Sequence, residues 1–175
     1  MESTAEKTRY ITILRHLFSI VMHNFISDIS HYDIVLNLAI QAKNSLWIGT
    51  ADIKDLYVIQ GQTEKPFLGI LSELIGHGVE VRLIHAKEPG PNFRKDFDKY
   101  PSLARMLERV LCPRVHFKII IIDQKICYIG SANLTGAGMG MKSAYRRNFE
   151  AGILTDNSDI VNAAFEEFDK VWRGS

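Results

Sequence analysis

Residues 114–133 read Arg-Val-His-Phe-Lys-Ile-Ile-Ile-Ile-Asp-Gln-Lys-Ile-Cys-Tyr-Ile-Gly-Ser-Ala-Asn. Four consecutive isoleucines, 119–122, carry His116 and Lys118 at their head. Strand side chains alternate between faces, so His116 and Lys118 point one way and Phe117 and Ile119 the other. Asp123, Gln124 and Lys125 make a polar turn, and a second β-rich run, Ile126 to Ile129, follows. That run ends in Gly130-Ser131-Ala132-Asn133, where Ser131 and Asn133 share a face. A four-residue loop, Asp123 to Ile126, sets Ile122 opposite Cys127, Lys118 opposite Ser131 and His116 opposite Asn133. One hairpin then gathers an imidazole, an ammonium, a hydroxyl and an amide at one end of one face. A slip of one residue would send Ser131 and Asn133 to the opposite face.

The pattern His116-x-Lys118-x4-Asp123-x6-Gly130-Ser131-x-Asn133 resembles the HKD signature of the phospholipase D superfamily, with every defined position present. The resemblance is specific over residues 114–154 and upstream extends only to the order of strands and helices. It implies a phospholipase D-like single domain, a mixed β-sheet flanked by α-helices. The superfamily holds phospholipases, phosphatidyltransferases, nucleases and some inactive members, so it constrains the fold more tightly than the substrate.

A chain of 175 residues fits one domain with a sizeable core. Its 46% apolar and 23% charged residues are ordinary for a globular protein. The net charge of +1 gives no global pull toward nucleic acid or anionic lipid. The charge is uneven, however. Between Arg114 and Arg147 stand Arg114, Lys118, Lys125, Lys142, Arg146 and Arg147 against the single acid Asp123, six minus one or +5. A local field of that sign suits an anionic substrate such as a phosphodiester. Met1 to Thr8 is polar and shows no secretory signal. The apolar stretch 10–29 is broken by Arg15, His16, His23, Asn24 and Asp28, which argues against a transmembrane span. A cytoplasmic location is the expectation, and Cys112 and Cys127 are read as free, packed thiols in a reducing compartment.

Along the chain, apolar spacing predicts an N-terminal helical region within residues 1–30, with a helix over 9–27 and a second from Asp33 to Lys43. Ser45 to Thr50 reads as the first buried strand, 52–59 as a short helix or loop, and 61–66 as a polar connection. Phe67 to Gly76 is a helix and Val79 to Ala86 a strand, together a strand–helix–strand unit compatible with a parallel pair. Helices are expected over 93–100 and 102–111, a flexible glycine- and methionine-rich loop over 134–145 at the mouth of the site, and a strand over 148–154. A final amphipathic helix is capped by Asp156 or Asn157.

An imidazole can serve as nucleophile or as acid near neutral pH, which makes His116 the expected catalytic residue. Lys118 is expected to hold the non-bridging phosphate oxygens, with Asn133 and Ser131 donating to the same region. Asp123 and Gly130 are read as structural: alternation removes Asp123 from the His116 face, and its turn position suits an aspartate. Asn148-Phe149-Glu150 resembles the segment that, in single-motif members, supplies a glutamate to the catalytic histidine. Glu150 on Nδ1 would leave Nε2 to attack phosphorus. Lys142, Arg146 and Arg147 form an expected track for substrate phosphates. No metal and no other cofactor is expected, because an ammonium beside His116 repels a cation and no zinc or magnesium ligand spacing occurs.

The resemblance implies a two-step displacement through a phosphohistidine, with one histidine attacking and a second protonating the leaving oxygen. The other His-x-Lys of the chain, His85-Ala86-Lys87, lacks the Asp, Gly-Ser and Asn positions that complete the signature, so with one complete motif per chain a homodimer sharing two copies of His116 is expected. The compact single-motif form is similar to bacterial endonucleases of the superfamily. The leading expectation is therefore a metal-independent nuclease with nucleic acid as substrate. The alternatives are a phospholipid hydrolase or a catalytically silent nucleic-acid-binding module.

Overall fold

The structure, a computed structural model, describes residues 21–54, 56–60 and 62–175. Its centre is a seven-stranded mixed sheet formed by β1 (His23–Ser27), β2 (Ser45–Thr50), β6 (Glu80–His85), β7 (Glu108–Leu111), β8 (Lys118–Ile122), β9 (Ile126–Gly130) and β11 (Ala151–Thr155). The order across the sheet is β1-β11-β9-β8-β2-β6-β7. The β2/β6 and β6/β7 pairs are parallel and the other four antiparallel. Two smaller sheets, β3 (Ile53–Lys54) against β10 (Leu134–Thr135) and the hairpin of β4 (Tyr57–Gln60) with β5 (Thr63–Pro66), lie outside this one.

Strand alternation sorts the isoleucine run between two cores. Ile120 and Ile122 face a large core with Leu46, Ile48, Leu83 and the helix α2 (Phe67–Gly76). The helical segment α1, a wide turn over His31–Leu36 that continues through Asn37–Ala39, covers the same side. Ile119, Ile121 and Cys127 face the opposite side, where α5 (Ser158–Arg173) lays Val161, Ala164 and Phe168 over them. Both faces of the central strands are thereby sealed, which is why β8 is uniformly apolar after Lys118. Asn157 caps α5 by accepting the N–H groups of Asp159 and Ile160, each at 3.1 Å. Short helices α3 (Pro91–Phe97) and α4 (Pro101–Met106) complete the large-core side.

Several expectations are corrected. The predicted helix over 9–27 lies outside the described residues up to 20, but 23–27 is strand β1, paired antiparallel with β11. Its inward side chain is Ile26, while Phe25 is exposed. Of the residues behind the helical spacing, Asn24 and Phe25 lie in β1, where a strand sends them to opposite faces. The helix expected to reach Lys43 ends at Ala39. Where a short helix or loop is expected over 52–59, Ile53–Lys54 and Tyr57–Gln60 are strands, and Thr63–Pro66 pairs with the latter instead of running as an open connection. The helix expected through 111 stops at Met106, because Glu108–Leu111 adds to the sheet edge beside β6. The strand expected over 148–154 runs from Ala151 to Thr155. The 134–145 segment packs inward over its first half: Leu134 and Met139 are buried. Gly138 sits against the Asn133 backbone where a Cβ would collide.

Candidate functional site

The site is built at the Lys118 end of the β8–β9 hairpin, and the turn at the other end sets its register. Asp123 and Gln124 adopt left-handed backbone, with φ of 52° and 54°, and the Lys125 N–H donates to the Ile122 carbonyl at 3.0 Å. This tight closure puts Ile126, not Cys127, opposite Ile122, so Lys118 stands opposite Gly130 rather than Ser131. The expected register is wrong by one residue. Ser131 and Asn133 escape the consequence because β9 ends at Gly130, after which the chain turns and alternation no longer governs it.

Asp123 acts as a clamp at the turn. Its carboxylate accepts the backbone N–H groups of Lys43, Asn44 and Ser45, at 3.0, 2.6 and 3.0 Å, and its own N–H donates to the Ser45 carbonyl. Burial acts to raise the carboxyl pKa, but those three N–H groups and the Lys125 charge together hold it below the usual aspartate value. The turn lies a full strand of five residues from Lys118, roughly 16 Å at strand rise.

At the chemical end His116 is exposed and Lys118 is buried. The Lys118 ammonium donates to the His116 carbonyl at 2.6 Å and lies 3.4 Å from His116 Nδ1. An ammonium has only donors, so a bond at this position is accepted by Nδ1 and places the ring hydrogen on Nε2. Among the described residues Lys118 makes no ion pair. Burial pushes its pKa below the ordinary lysine value, and the Glu150 charge pulls it back in part. Phe117, on the other side of the strand, lies flat over Gly49, where any Cβ would overlap its ring.

Glu150 is near Lys118 but is not seen on His116. Its carboxylate accepts from the Ser131 hydroxyl and from the Asn148 amide, the latter at 3.0 Å. Ser131 is held in turn by exchange with Ala151, whose N–H donates to Oγ at 3.0 Å and whose carbonyl accepts the Ser131 N–H at 2.9 Å. The expected carboxylate on Nδ1 is thus replaced by Lys118 in this arrangement. Asn133 turns its side-chain carbonyl to the end of β2, accepting from Thr50 Oγ1 and the N–H groups of Ala51 and Asp52 at 3.2–3.3 Å. That fixes the amide plane and leaves the NH2 on the other side of the group.

The basic track is only partly formed. Arg146 is exposed and Lys142 half-buried. Arg147 is turned inward and paired with Asp28 at 3.1 Å, its side chain 16% exposed. In this arrangement it ties the 143–148 segment to the residues after β1.

Two residues that the sequence pattern does not assign to the site lie beneath it. Tyr128, on the same face of β9 as Gly130, is fully buried, and its hydroxyl lies 2.8 Å from Nε2 of the fully buried His31. His31 Nδ1 lies 2.9 Å from the Asp28 carbonyl. A carbonyl only accepts, so Nδ1 carries the hydrogen and Nε2 accepts from Tyr128. The same hydroxyl interacts with the Ala132 backbone, and burial raises its pKa to about 12. Gly130 is required here, since a Cβ would overlap that hydroxyl and the Ala151 carbonyl. Strand alternation could have placed Tyr128; His31, 97 residues away, had no counterpart in the sequence pattern.

Among the described residues no group of His, Cys, Asp or Glu is gathered to hold a metal ion, and no helix is long and apolar enough to cross a membrane. Both cysteines are free, Cys112 half-buried and Cys127 buried.

Residues 35–172 match the family model described as "Cardiolipin synthase, PLD-like domain". No curated relative matches the chain. Solved structures that share its fold include these three. NucT from Helicobacter pylori is 17% identical, with a TM-score of 0.65 over 88% of this chain and 97% of that one. Nuc from Salmonella typhimurium, described as a phospholipase D family member, is 19% identical, with a TM-score of 0.64 over 88% and 95%. The archaeal chromatin protein TrmBL2, described with a novel mode of DNA binding, is 13% identical, with a TM-score of 0.59 over 97% and 60%. At such identities the likeness is one of fold.

Proposed function

The chain belongs to the phospholipase D-like family, and from that premise we propose that it is a metal-independent phosphodiesterase that cleaves nucleic acid through a phosphohistidine on His116. The observation that carries this reading is the pair of an exposed imidazole and a buried ammonium with no ion pair among the described residues. A buried cation is costly unless an anion meets it, and a phosphodiester bound over Lys118 supplies one next to His116.

In the first step Nε2 of one His116 forms a bond to phosphorus while the phosphorus–oxygen bond to the leaving group breaks. The leaving oxygen takes the proton from Nε2 of the partner subunit's His116. In the second step water attacks phosphorus, gives its proton to the partner subunit's His116, and the phosphorus–nitrogen bond breaks. The proton-donating copy is the imidazolium, with hydrogen on both nitrogens, so its Nδ1 does not accept from Lys118 at that step. The attacking copy needs its hydrogen on Nδ1, and Glu150, whose charge already acts on the neighbouring Lys118, is the carboxylate assigned to receive it once released from Ser131. Lys118, the Asn133 amide and Ser131 stabilise the charge on the phosphoryl oxygens. Because one chain supplies one such histidine, a homodimer is part of the proposal. So is a cytoplasmic location, which suits two free thiols.

Nucleic acid is favoured by the +5 charge between Arg114 and Arg147 and by a fold shared with a chromatin protein whose description names DNA binding. Labelled DNA, labelled RNA and a chromogenic phosphodiester, each in chelator, test it beside His116→Ala. Cleavage by the wild type and none by the variant is the expected result.

A phospholipid is the second reading, favoured by one observation. Phe25, Ile153 and Ile129 stand in register across β1, β11 and β9 as an exposed apolar row beside the site. Hydrolysis of anionic phospholipid in vesicles without cleavage of nucleic acid would decide for it.

A further inference from the structure

A groove of about 360 Å³ opens beside His116, between the 112–117 segment and the last turn of α5. Its volume falls within the roughly 300–1,000 Å³ typical of small-ligand sites. His116 and Phe117 line its inner end, Val115 and Val171 give it apolar walls, and Arg114 and Cys112 stand along it. Lys170 also lines it but is ion-paired with Glu167 at 3.1 Å. Arg114 is exposed and, among the described residues, makes no ion pair.

We propose that this groove seats the nucleotide on one side of the scissile phosphodiester, with Arg114 binding the next phosphate along the strand. The inference rests on the nuclease reading above and adds a location to it. The walls suit a nucleobase or sugar, apolar along its faces and polar at its edges. Arg114 and His116 are two residue steps apart, at most about 7 Å between Cα atoms, on the order of one nucleotide step. A planar guanidinium there can take two phosphate oxygens at once. The phosphate beside His116 is the one that reacts, and the phosphate at Arg114 only anchors.

Cys112 makes the groove addressable. It is half-buried, and hydrogen bonding with Ser175, together with backbone N–H groups and the Arg114 charge, draws its thiol below the ordinary cysteine value against the effect of burial. Cys127 is fully buried, and burial raises its thiol to about 11. A bulky maleimide should therefore react at Cys112 alone.

The test compares a single-stranded DNA oligonucleotide with bis(p-nitrophenyl) phosphate, before and after fluorescein-maleimide treatment of the full chain. Labelling is expected to lower oligonucleotide cleavage at least tenfold and to leave the small diester within about twofold. Cys112→Ser, treated in the same way, keeps its untreated rate. The oligonucleotide should also slow labelling of wild-type Cys112. Arg114→Gln should raise KM for the oligonucleotide about tenfold and reduce its log–log salt slope by about 0.7, one single-strand phosphate contact. A merely structural arginine would not move that slope. Undiminished oligonucleotide cleavage by labelled protein, or equal loss on both substrates, overturns the proposal. Protection of Cys112 by phospholipid vesicles and not by oligonucleotide overturns it too, in favour of a lipid. Failure of the unlabelled protein to hydrolyse either diester would instead sink the phosphodiesterase reading, while Cys112 protection would still report on the groove.

Discussion

The Tyr128 hydroxyl lies 2.8 Å from Nε2 of His31, both side chains fully buried beneath the turn that carries Ser131 and Asn133. The rings meet edge to face, with centroids 5.4 Å apart. This contact ties β9 to α1, and through the Asp28 carbonyl to the residues after β1. Tyr128→Phe leaves the His31 acceptor buried without its donor, at a cost of about 1–3 kcal/mol. Urea denaturation should show that loss at an unchanged m-value. A loss below about 0.5 kcal/mol would mean that the hydroxyl is dispensable.

Asp123 is predicted to matter for stability rather than chemistry. Asp123→Asn weakens three hydrogen bonds to backbone N–H groups and should cost about 2 kcal/mol at neutral pH, with kcat per folded molecule within about threefold of wild type. The folded-state pKa is depressed, so this stabilisation is present above the unfolded value, about 3.9. It is lost as pH falls through the lower folded value. The acid limb of wild-type stability should therefore be steeper than that of Asp123→Asn, as equilibrium unfolding across pH would record.

Lys118 sets the alkaline limb of activity. Burial lowers its pKa, and the account requires its charged form. The rate should fall as pH rises through a value below the ordinary lysine pKa of about 10.4. Lys118→Arg, ionised throughout, should lower kcat but remove that limb. Lys118→Ala should lose roughly 100-fold or more in kcat, the scale of a deleted transition-state donor. Profiles of kcat/KM against pH for the three proteins decide the point.

Arg147 and Arg146 should separate. Arg147 is held by Asp28, so Arg147→Ala should lower the unfolding midpoint and leave the salt dependence of KM unchanged. Arg146 is exposed, and its replacement should leave stability within about 0.5 kcal/mol. If Arg147→Ala flattened the salt slope while the unfolding midpoint held, the inward tie would be secondary to a phosphate contact.

What was legible in the sequence follows from range. His116 and Lys118 share a local motif and one strand, so their pairing could be read directly. The isoleucine run announced a strand sealed on both faces, and the 67–86 unit carried its own helix and strand signals. The hairpin register was not legible, because Asp123 and Gln124 adopt left-handed backbone without the glycine that usually signals it. β1 was hidden for a different reason: its partner β11 is about 130 residues away, and exposed Phe25 lent the stretch a false helical spacing. The destinations of Glu150 and Arg147 depend on partners brought together by the fold, and residue type alone does not specify them.

The dimer is exposed to a direct check. Light scattering and activity measured on the same dilution series should show the rate per chain falling as dimer dissociates, because each reaction needs two copies of His116. A monomer with full activity would contradict this.

The most direct measurement is a rapid quench of the reaction with an oligonucleotide in chelator, followed by peptide mass spectrometry at alkaline pH, where a phosphoramidate survives. A nucleotidyl or phosphoryl adduct is expected on His116 of the wild-type protein, and neither adduct nor cleavage with His116→Ala. Cleavage that proceeds without an adduct on His116, or that survives His116→Ala, would contradict it.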